Sequence, residues 1–452
     1  MSNDYLLKEI YWSLIFILIS KYCVGNNYYA DPSSSSLHSV GSFESPWKSI
    51  QEINNYNTNF HPGDSIFFKR GESFSGALLI HCSGIKSKPI VFTAYGEGPA
   101  PVFTNFNKQC IIIQQQKYIV IDGIRIYDKR ISPDDHKPIA LVQYGIIVDK
   151  SSNCVIKNCD ISLVGIGIAL NSGSDSTAIS KNIIHNLRMI RNTLEGNDDF
   201  GANGIVIGSS SNKILHNRFE SCWGYSIDYE YDGGAIEFFG NQMNDNSIMY
   251  NTSINCAGFI EMGSVGKGQA LKNVIAYNKI INNGYTGVFH NGAKFNTRIK
   301  KTKYFNNAII ETKRQFANPK LLFWVADTTA TDVIEFRNNI VWLETGIAFG
   351  SNSKQMQSIE HSNNIFKFLN GSSALRKLHA TDIISYKGDI FCYSKGDVEK
   401  WDLHLTKGSC AIDKGIELGI TKDLDGTSIQ GKPDVGIYEY SPKFTSNKKP
   451  AS

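Results

Sequence analysis

Asparagine recurs in one local context along the middle of this chain, after an aliphatic residue and two variable residues. The first five of these positions are Asn158, Asn182, Asn217, Asn251 and Asn278. The intervals between them are 24, 35, 34 and 27 residues, and Asn-Asn pairs continue the series at 306–307, 338–339 and 363–364. Periods of about 20–50 residues are typical of solenoid proteins. The repeat therefore predicts a solenoid.

The short-range pattern indicates which kind of solenoid. Between the asparagines lie short β-branched runs that end in glycine or polar turns, such as residues 118–123, and helical apolar faces of useful length are missing. Asparagine suits the turns of stacked coils because it tolerates left-handed backbone angles. Its amide can also bond the next asparagine along the stack. We expect an all-β chain folded as a parallel β-helix.

Both ends of such a stack need covering, because they expose apolar core and unpaired strand edges. At the N-terminal end, Ser45 can cap a helix that begins at Pro46, with Ile50 and Ile53 on one face. We expect a short amphipathic capping helix there. The segment 406–442 is expected to close the other end.

The first residues are typical of an export signal. Lys8 precedes an apolar run at 12–19, which is too short for a bilayer core that needs about 20 residues. Small residues follow, and we expect residues 1–25 to be a signal peptide cut after Gly25. A buried N-terminal helix is the alternative. With a signal peptide, the protein would be secreted, periplasmic or on the cell surface of a bacterium, and the mature chain would have no membrane span.

Charge and cysteine content exclude several classes. The net charge is only +4, which gives no basis for nucleic-acid binding. The cysteines lack C-x-x-C spacing, so neither a zinc ribbon nor a redox motif is predicted. Those within the repeats are expected to be small buried apolar groups, and their redox state stays open. They are Cys154, Cys159, Cys222 and Cys256.

Three stretches carry a family resemblance. They are the opening segments 28–32, 45–50 and 62–66, the asparagine repeat, and the closing segments 411–415 and 434–440. In these the chain resembles the right-handed parallel β-helix proteins of the pectate-lyase-like superfamily, in their secreted bacterial form. The resemblance implies a right-handed, single-stranded parallel β-helix. It does not select a reaction, since the superfamily includes lyases, hydrolases, epimerases and non-catalytic proteins.

We divide the chain accordingly. Residues 26–105 are expected to form the N-terminal cap and first coils, residues 106–405 the β-helix coils, and residues 406–452 the C-terminal closing segment. The predicted fold class is all-β, with one short capping helix.

A column of polar residues indicates a site. Successive strands begin at a glycine, and the third residue after it is Ile207, Glu237, Glu261 and then His290. Equivalent positions of stacked parallel strands repeat at about 4.8 Å. We therefore expect Glu237, Glu261 and His290 to form one outward-facing column.

Two stacked carboxylates suit glycosidic hydrolysis. A carboxyl separation near 5 Å is what a retaining glycoside hydrolase needs, and the proximity should raise one pKa. We assign Glu237 as nucleophile, Glu261 as acid/base and His290 as an orienting or sugar-contacting group; the sequence does not separate the two glutamate roles. No cofactor or metal is predicted. A solvated face, a metal site or a register slip of one residue are the alternatives.

Two long intervals in the repeat mark insertions near this column, at 186–203 and 222–232. Insertions on a solenoid usually collect on its binding side. The second insertion mixes aromatic and acidic residues, as in a sugar-binding wall. Its candidate substrate-binding residues are Trp223, Tyr225, Asp228, Tyr229, Tyr231 and Asp232. A loop packed on its own aromatics is the alternative.

Lys267 and Lys294 are further substrate-binding candidates, and Lys294 opens a basic run that extends to Lys303. That run would favour an acidic glycan, or it is a solvated turn. In a lyase, Lys267, His290 or Lys294 would abstract the C5 proton of a uronan, with Ca²⁺ neutralising the carboxylate.

The sequence thus predicts a monomeric extracellular enzyme acting on a polysaccharide or oligosaccharide, with glycoside hydrolysis first and calcium-assisted polysaccharide elimination second. A non-catalytic glycan-binding or surface β-helix protein is the alternative from another class.

Overall fold

A computed structural model describes residues 25–134, 136–140, 143–191, 199–227, 229–264, 266–313, 316, 322–327, 329–345, 355–370, 378–386 and 388–444. The predicted signal peptide lies outside these ranges except for Gly25. No helix within the described ranges is long and apolar enough to cross a membrane.

Three parallel sheets form the solenoid, and from Ser65 to Val325 each coil passes through sheet A, then sheet B, then sheet C. The strands of sheet A are Asn27–Ala30, Ser65–Lys69, Ile90–Tyr95, Ile119–Asp122, Val155–Lys157, Ala178–Ser180, Lys213–Leu215, Ser247–Met249, Val274–Ala276, Thr302–Phe305, Ile334–Arg337 and Ile359–Ser362. The strands of sheet B are Ser73–Ser75, Val102–Thr104, Arg125–Ile126, Asp160–Ser162, Ile183–His185, Arg218–Glu220, Thr252–Ile254, Lys279–Ile281, Ala308–Glu311, Ile340–Thr345, Ile365–Asn370 and Ile383–Ile384. The strands of sheet C are Leu78–Ile80, Gln109–Gln114, Tyr144–Asp149, Ile166–Leu170, Asn203–Ile207, Gly234–Phe239, Ile260–Gly263, Gly287–Phe289 and Phe323–Val325. The predicted parallel β-helix is confirmed.

The remaining strands pair outside these sheets. Three antiparallel hairpins join Met189–Ile190 to Phe200–Gly201, Gly224–Ser226 to Glu230–Asp232, and Phe391–Tyr393 to Asp402–Leu405. A parallel pair joins Gly268–Leu271 to Thr297–Lys300.

Aliphatic side chains stack inside the coils. In sheet C, Ile168, Ile205, Ile236 and Ile260 lie in register and are almost wholly buried. Each buried isoleucine contributes roughly 1.5–3 kcal/mol of transfer free energy. The residues between them alternate to the outer face, as the period of two requires. The four repeat cysteines are buried as expected.

A ladder of buried asparagines follows the corner between sheets A and B. Each asparagine Oδ1 atom in the ladder accepts a hydrogen bond from the backbone N–H of the ladder residue one coil earlier. Most of these Oδ1 atoms also accept a second hydrogen bond, from the side-chain Nδ2 of that same residue. Its members are Asn182, Asn217, Asn251, Asn278, Asn307, Asn339 and Asn364. Asp382 ends the ladder, because its Oδ1 accepts from the Asn364 N–H at 2.8 Å and from Nδ2 at 3.1 Å. The ladder thus satisfies buried backbone groups that the strands leave unpaired at the corner.

The ladder corrects one sequence expectation. We expected one asparagine per coil to supply both the left-handed turn and the amide bond, but two successive residues divide these tasks. The left-handed residue comes first, as at Lys181 (φ 57°) and Tyr250 (φ 62°), and the ladder asparagine follows. Asn158 (φ 53°) is a left-handed residue, and Cys159 holds its coil's ladder position. The Asn-Asn pairs fill both positions.

The capping helix α1 spans Ile50–Tyr56, and Ser49 is its N-cap rather than Ser45. The Glu52 carboxylate accepts from the backbone N–H of Ser49 at 2.9 Å, and the Ser49 hydroxyl accepts from the Glu52 N–H. This reciprocal capping box decides the helix start. Pro46 therefore precedes the helix, while Ile50 and Ile53 are buried as predicted.

The closing segment lies elsewhere than expected. It packs along the outer side of the corner between sheets A and B, where the Asn306 amide donates to the Asp434 carbonyl at 3.1 Å and to the Gly436 carbonyl at 3.0 Å. Asn338 donates to the Ile416 carbonyl at 2.9 Å. The left-handed asparagines of the outer corner thus dock this segment alongside several coils.

We predict that Asn278→Ala destabilises the chain by about 3 kcal/mol, because it leaves the buried Asn251 N–H without its acceptor and removes the amide hydrogen bonds to Asn251 Nδ2 and to the Ile248 carbonyl. Chemical denaturation of the purified variant measures the change. Lys213→Ala on exposed sheet A surface is the control and should lie within about 0.5 kcal/mol of wild type. Equal stability of the two variants would contradict a structural ladder.

Candidate functional site

Two glutamates lie side by side on the outer face of sheet C. The register pairs Glu237 with Glu261 across adjacent strands. Their column continues through Val206 on one side and Val288 on the other. Since adjacent strands are about 4.8 Å apart, the two carboxyl groups occupy one small area of the sheet.

His290 reaches the same area from another register position. Val288, not His290, lies opposite Glu261, so the predicted three-residue column is wrong by two residues at this coil. A shift of two keeps the side chain on the same face. The His290 Nε2 atom is 2.7 Å from Glu261 Oε1. The alignment also misplaced Ile207, which points inward opposite Phe238 while Val206 occupies the column.

Glu237 lies near two other carboxyl groups and is shielded from water. Desolvation, the Glu261 carboxylate and the Asp232 carboxylate, in that order, raise its pKa to about 8. The Asn203 side-chain amide donates a hydrogen bond to Glu237 Oε2. At neutral pH Glu237 is therefore mostly protonated and can donate a proton.

Glu261 contacts two polar side chains, Tyr285 and His290. Its Oε2 accepts a hydrogen bond from the Tyr285 hydroxyl at 3.1 Å, and its Oε1 contacts His290. Desolvation and the nearby carboxylates raise the pKa of Tyr285 well above its usual value, so the hydroxyl keeps its proton and donates.

Aromatic rings close the far side of His290. Its ring centroid is 4.8 Å from that of Phe295 and 5.3 Å from that of Trp324. Its Nδ1 atom is buried and has no hydrogen-bond partner among the described residues. These rings limit the orientations of the imidazole and so hold its Nε2 atom toward Glu261.

A second stacked glutamate pair has a different environment. On sheet A, Glu335 lies opposite Glu360 in register. The Glu360 side chain is 57% exposed and lies 3.3 Å from Arg337 Nη2, whereas that of Glu261 is 29% exposed. The sheet A pair thus lies beside solvent and an arginine. Burial beside acidic neighbours therefore distinguishes the sheet C pair.

Both insertions form antiparallel hairpins at the N-terminal ends of the sheet C strands. In the second one Tyr225 pairs with Tyr231, and the Ser226 hydroxyl donates to Asp199 of the first at 3.0 Å. Tyr225 and Tyr229 are 54% and 70% exposed. These two rings are free to contact a ligand.

Other predicted wall residues have packing roles. Trp223 stacks on His136 with 3.9 Å between ring centroids, and Tyr231 packs on Phe316 at 4.7 Å. Tyr225 and Tyr229 are thus exposed, as expected for a sugar-binding wall. Trp223 and Tyr231 are packed against other rings, as in the alternative of a loop packed on its own aromatics. Asp232 lies near enough to Glu237 to raise its pKa. Asp228 lies outside the described residues.

The two candidate lysines lie beyond the C-terminal ends of the sheet C strands. Lys267 follows the Ile260–Gly263 strand and lines a groove, and Lys294 Nζ lies 5.2 Å from the Phe295 ring centroid. In the described structure neither lysine contacts Glu237 or Glu261.

Sequence reasoning missed four groups around the carboxyl pair: Asn203, Tyr285, Phe295 and Trp324. Asn203 could have been found, because it lies opposite Gly234 once the alignment is moved by one residue. Tyr285, Phe295 and Trp324 reach the pair from loops and a later coil, which no repeat pattern links to it. Among the described residues, no group of three or more His, Cys, Asp or Glu side chains could hold a metal ion.

Comparisons with known proteins support the architecture. Residues 101–260 match the family model described as the right-handed β-helix region. The crystal structure of pectate lyase Pel9A aligns with a TM-score of 0.57 and 14% identity, over 92% of this chain and 97% of that chain. The chain has the pectate-lyase-like right-handed β-helix fold. The handedness and superfamily resemblance expected from the sequence are thereby confirmed.

Two further solved structures are similar over much of the chain. An alginate lyase from Paenibacillus sp. str. FPU-7 aligns with a TM-score of 0.47 and 15% identity, over 70% of this chain and 97% of that one. A GH136 lacto-N-biosidase from Eubacterium ramulus aligns with a TM-score of 0.48 and 13% identity, over 75% and 67%. No curated protein matches the sequence.

We predict that Glu237→Gln stabilises the chain at alkaline pH. The folded-state pKa is about 8, against an ordinary value of 4.5, so the free energy of unfolding of wild type falls as pH rises from about 4.5 to 8. Glutamine has no proton to lose at this position. Thermal unfolding should give E237Q a higher Tm than wild type at pH 9 and a clearly smaller gain at pH 5.

Glu335→Gln is the control for this measurement, because it removes a carboxyl group from the solvated pair on sheet A. Its Tm difference from wild type should be similar at both pH values. If E237Q behaves in the same way, the pKa of Glu237 is not raised.

Proposed function

We propose that this protein is a glycoside hydrolase acting on a polysaccharide, with Glu237 and Glu261 as its catalytic pair. The observation that carries the proposal is the adjacent register of these two carboxyl groups, only one of which has an environment that keeps it protonated. Pairs whose surroundings separate their pKa values are typical of acid and base partners in catalysis.

The electrostatics favour roles opposite to the tentative order from the sequence. Glu237, with its pKa near 8, is suited to protonate the glycosidic oxygen. Glu261 accepts hydrogen bonds from Tyr285 and contacts His290, which suits a carboxylate that attacks the anomeric carbon. Tyr285 and His290 are positioning residues in this scheme.

The strand spacing favours retention of configuration. Retaining enzymes have carboxyl groups about 5–5.5 Å apart, whereas inverting enzymes leave room for a water between them. In-register neighbours in a parallel sheet match the shorter distance. Attack by Glu261 would form a glycosyl ester as the leaving oxygen takes the Glu237 proton. Water, deprotonated by Glu237, would then cleave that ester and restore both groups.

Polymer binding is supported by the site's surroundings. Tyr225 and Tyr229 expose ring faces beside the N-terminal edge of sheet C, and such faces stack on sugar rings. A pectate lyase shares the fold, which makes a carbohydrate substrate reasonable by analogy. Export through residues 1–25 would bring the enzyme to extracellular polysaccharides.

Digestion of a polysaccharide panel with mass analysis of the products tests the proposal. Hydrolysis gives saturated reducing ends, and proton magnetic resonance of the first product should show the substrate's anomeric configuration. Unsaturated products absorbing ultraviolet light would instead assign a lyase. Retention of a polymer without any cleavage would assign a binding protein.

We predict that Glu237→Gln and Glu261→Gln each lower turnover by about 10²–10⁴-fold, because each removes a group that acts on the reacting atoms. Initial rates on the best panel substrate measure the loss. The double variant E335Q/E360Q is the matched control, since it removes a stacked glutamate pair from sheet A. Loss of activity in the control alone, or full activity in both single variants, would contradict the assignment.

We predict an alkaline limb near pH 8 in the profile of kcat/KM, where Glu237 loses its proton. Asp232→Asn should move this limb to lower pH, because the Asp232 charge helps to raise the pKa of Glu237. E335Q/E360Q should leave the limb in place. An unshifted limb in D232N would assign it to another group.

A further inference from the structure

A groove of about 340 Å³ opens beyond the C-terminal ends of two sheet C strands, Ile260–Gly263 and Gly287–Phe289. Its volume lies at the lower end of the range for ligand pockets, which is roughly 300–1,000 Å³. The polar residues that line it are Lys267, Asn291, Asn296, Thr297, Arg298, Lys300 and Asp327. The groove is therefore large enough for a small ligand and carries several charged side chains on a partly apolar lining.

The groove carries an excess of positive charge. Lys267 and Arg298 are exposed and have no ion-pair partner among the described residues, while Lys300 Nζ lies 4.0 Å from Asp332. The one lining carboxylate, Asp327, accepts from the Thr329 N–H at 2.9 Å and from its hydroxyl at 2.7 Å. Two cations are thus available to a ligand.

The groove adjoins the carboxyl pair. Asn291 lines it and directly follows His290, whose Nε2 atom contacts Glu261. The buried Asn291 side chain is fixed, because its Oδ1 accepts from the Asp327 N–H at 3.0 Å. The groove thus begins one residue after a side chain that contacts the carboxyl pair.

We propose that this groove binds an anionic substituent, a carboxylate or a sulfate, on a sugar residue next to the bond that is cleaved. Guanidinium and ammonium groups form charge-assisted hydrogen bonds with such oxygens. The inference rests on the proposed function and adds the substrate class, an acidic glycan.

The two edges of sheet C then have different specificities. Exposed Tyr225 and Tyr229 at the N-terminal edge offer ring faces, and Lys267 and Arg298 at the C-terminal edge offer charge. A glycan lying along the strand direction would place its acidic residue at the lysine edge only. This arrangement selects both the charge and the direction of the substrate.

Affinity electrophoresis tests the proposal with polymers that differ only in charge. Polygalacturonate is compared with its carboxyl-reduced form, and a sulfated galactan with its desulfated form, at about 0.15 M salt to screen unspecific attraction. The wild-type chain should bind at least one acidic polymer about tenfold more tightly than its neutral counterpart. The polymer that does so distinguishes carboxylate from sulfate recognition.

The variant K267A/R298A should lose that tenfold preference and keep its affinity for the neutral polymers. K86A/K213A removes the same charge from exposed positions away from the groove and should behave as wild type. Equal binding of acidic and neutral polymers by wild type, or an unchanged preference in K267A/R298A, would overturn the proposal.

E237Q separates this inference from the proposed function. It should retain the acidic preference, since Glu237 does not line the groove. If E237Q still cleaves the substrate, the catalytic assignment fails while the groove assignment stands. If K267A/R298A keeps the acidic preference while E237Q is inactive, the groove assignment fails alone.

Discussion

In-register stacking of parallel coils is the constraint on which the rest of this structure depends. The isoleucine columns set the spacing inside, and the asparagine ladder holds the corner between sheets A and B. Because every coil repeats the register of the last, any residue on the outer face has neighbours directly before and after it. The backbone pairing of adjacent strands can therefore hold two side chains of like charge close together, although the two side chains repel each other.

The surroundings of the sheet C pair distinguish it from the other stacked pair. Glu335 and Glu360 have the same register relation as Glu237 and Glu261, yet they face water and Arg337. At the sheet C pair, desolvation and Asp232 add to the repulsion and raise the pKa of Glu237. Tyr285 and His290 meanwhile contact Glu261. The solenoid supplies proximity, and the loops between its coils supply the asymmetry that acid–base chemistry needs.

The sequence was sufficient for the coil architecture because its periodicity is strong and local. It was also sufficient for the Glu237–Glu261 contact, where two similar coils follow each other. It failed at His290, because the loop before Gly287 moves that glycine opposite Ile260, and no local pattern reports such a shift. A two-residue error preserved the face and hence the contact with Glu261. The pKa order could not be predicted, since it depends on tertiary burial and on Asp232.

The asparagine ladder has a direction. Each amide donates toward the following coil, and the series ends at Asp382, whose carboxyl oxygens also receive His361 Nδ1 at 2.6 Å and the His379 N–H at 3.2 Å. The Asp382 carboxyl group has no amide hydrogen to donate to a further coil. Asp382 thus terminates the side-chain hydrogen-bond series of this corner within the chain itself.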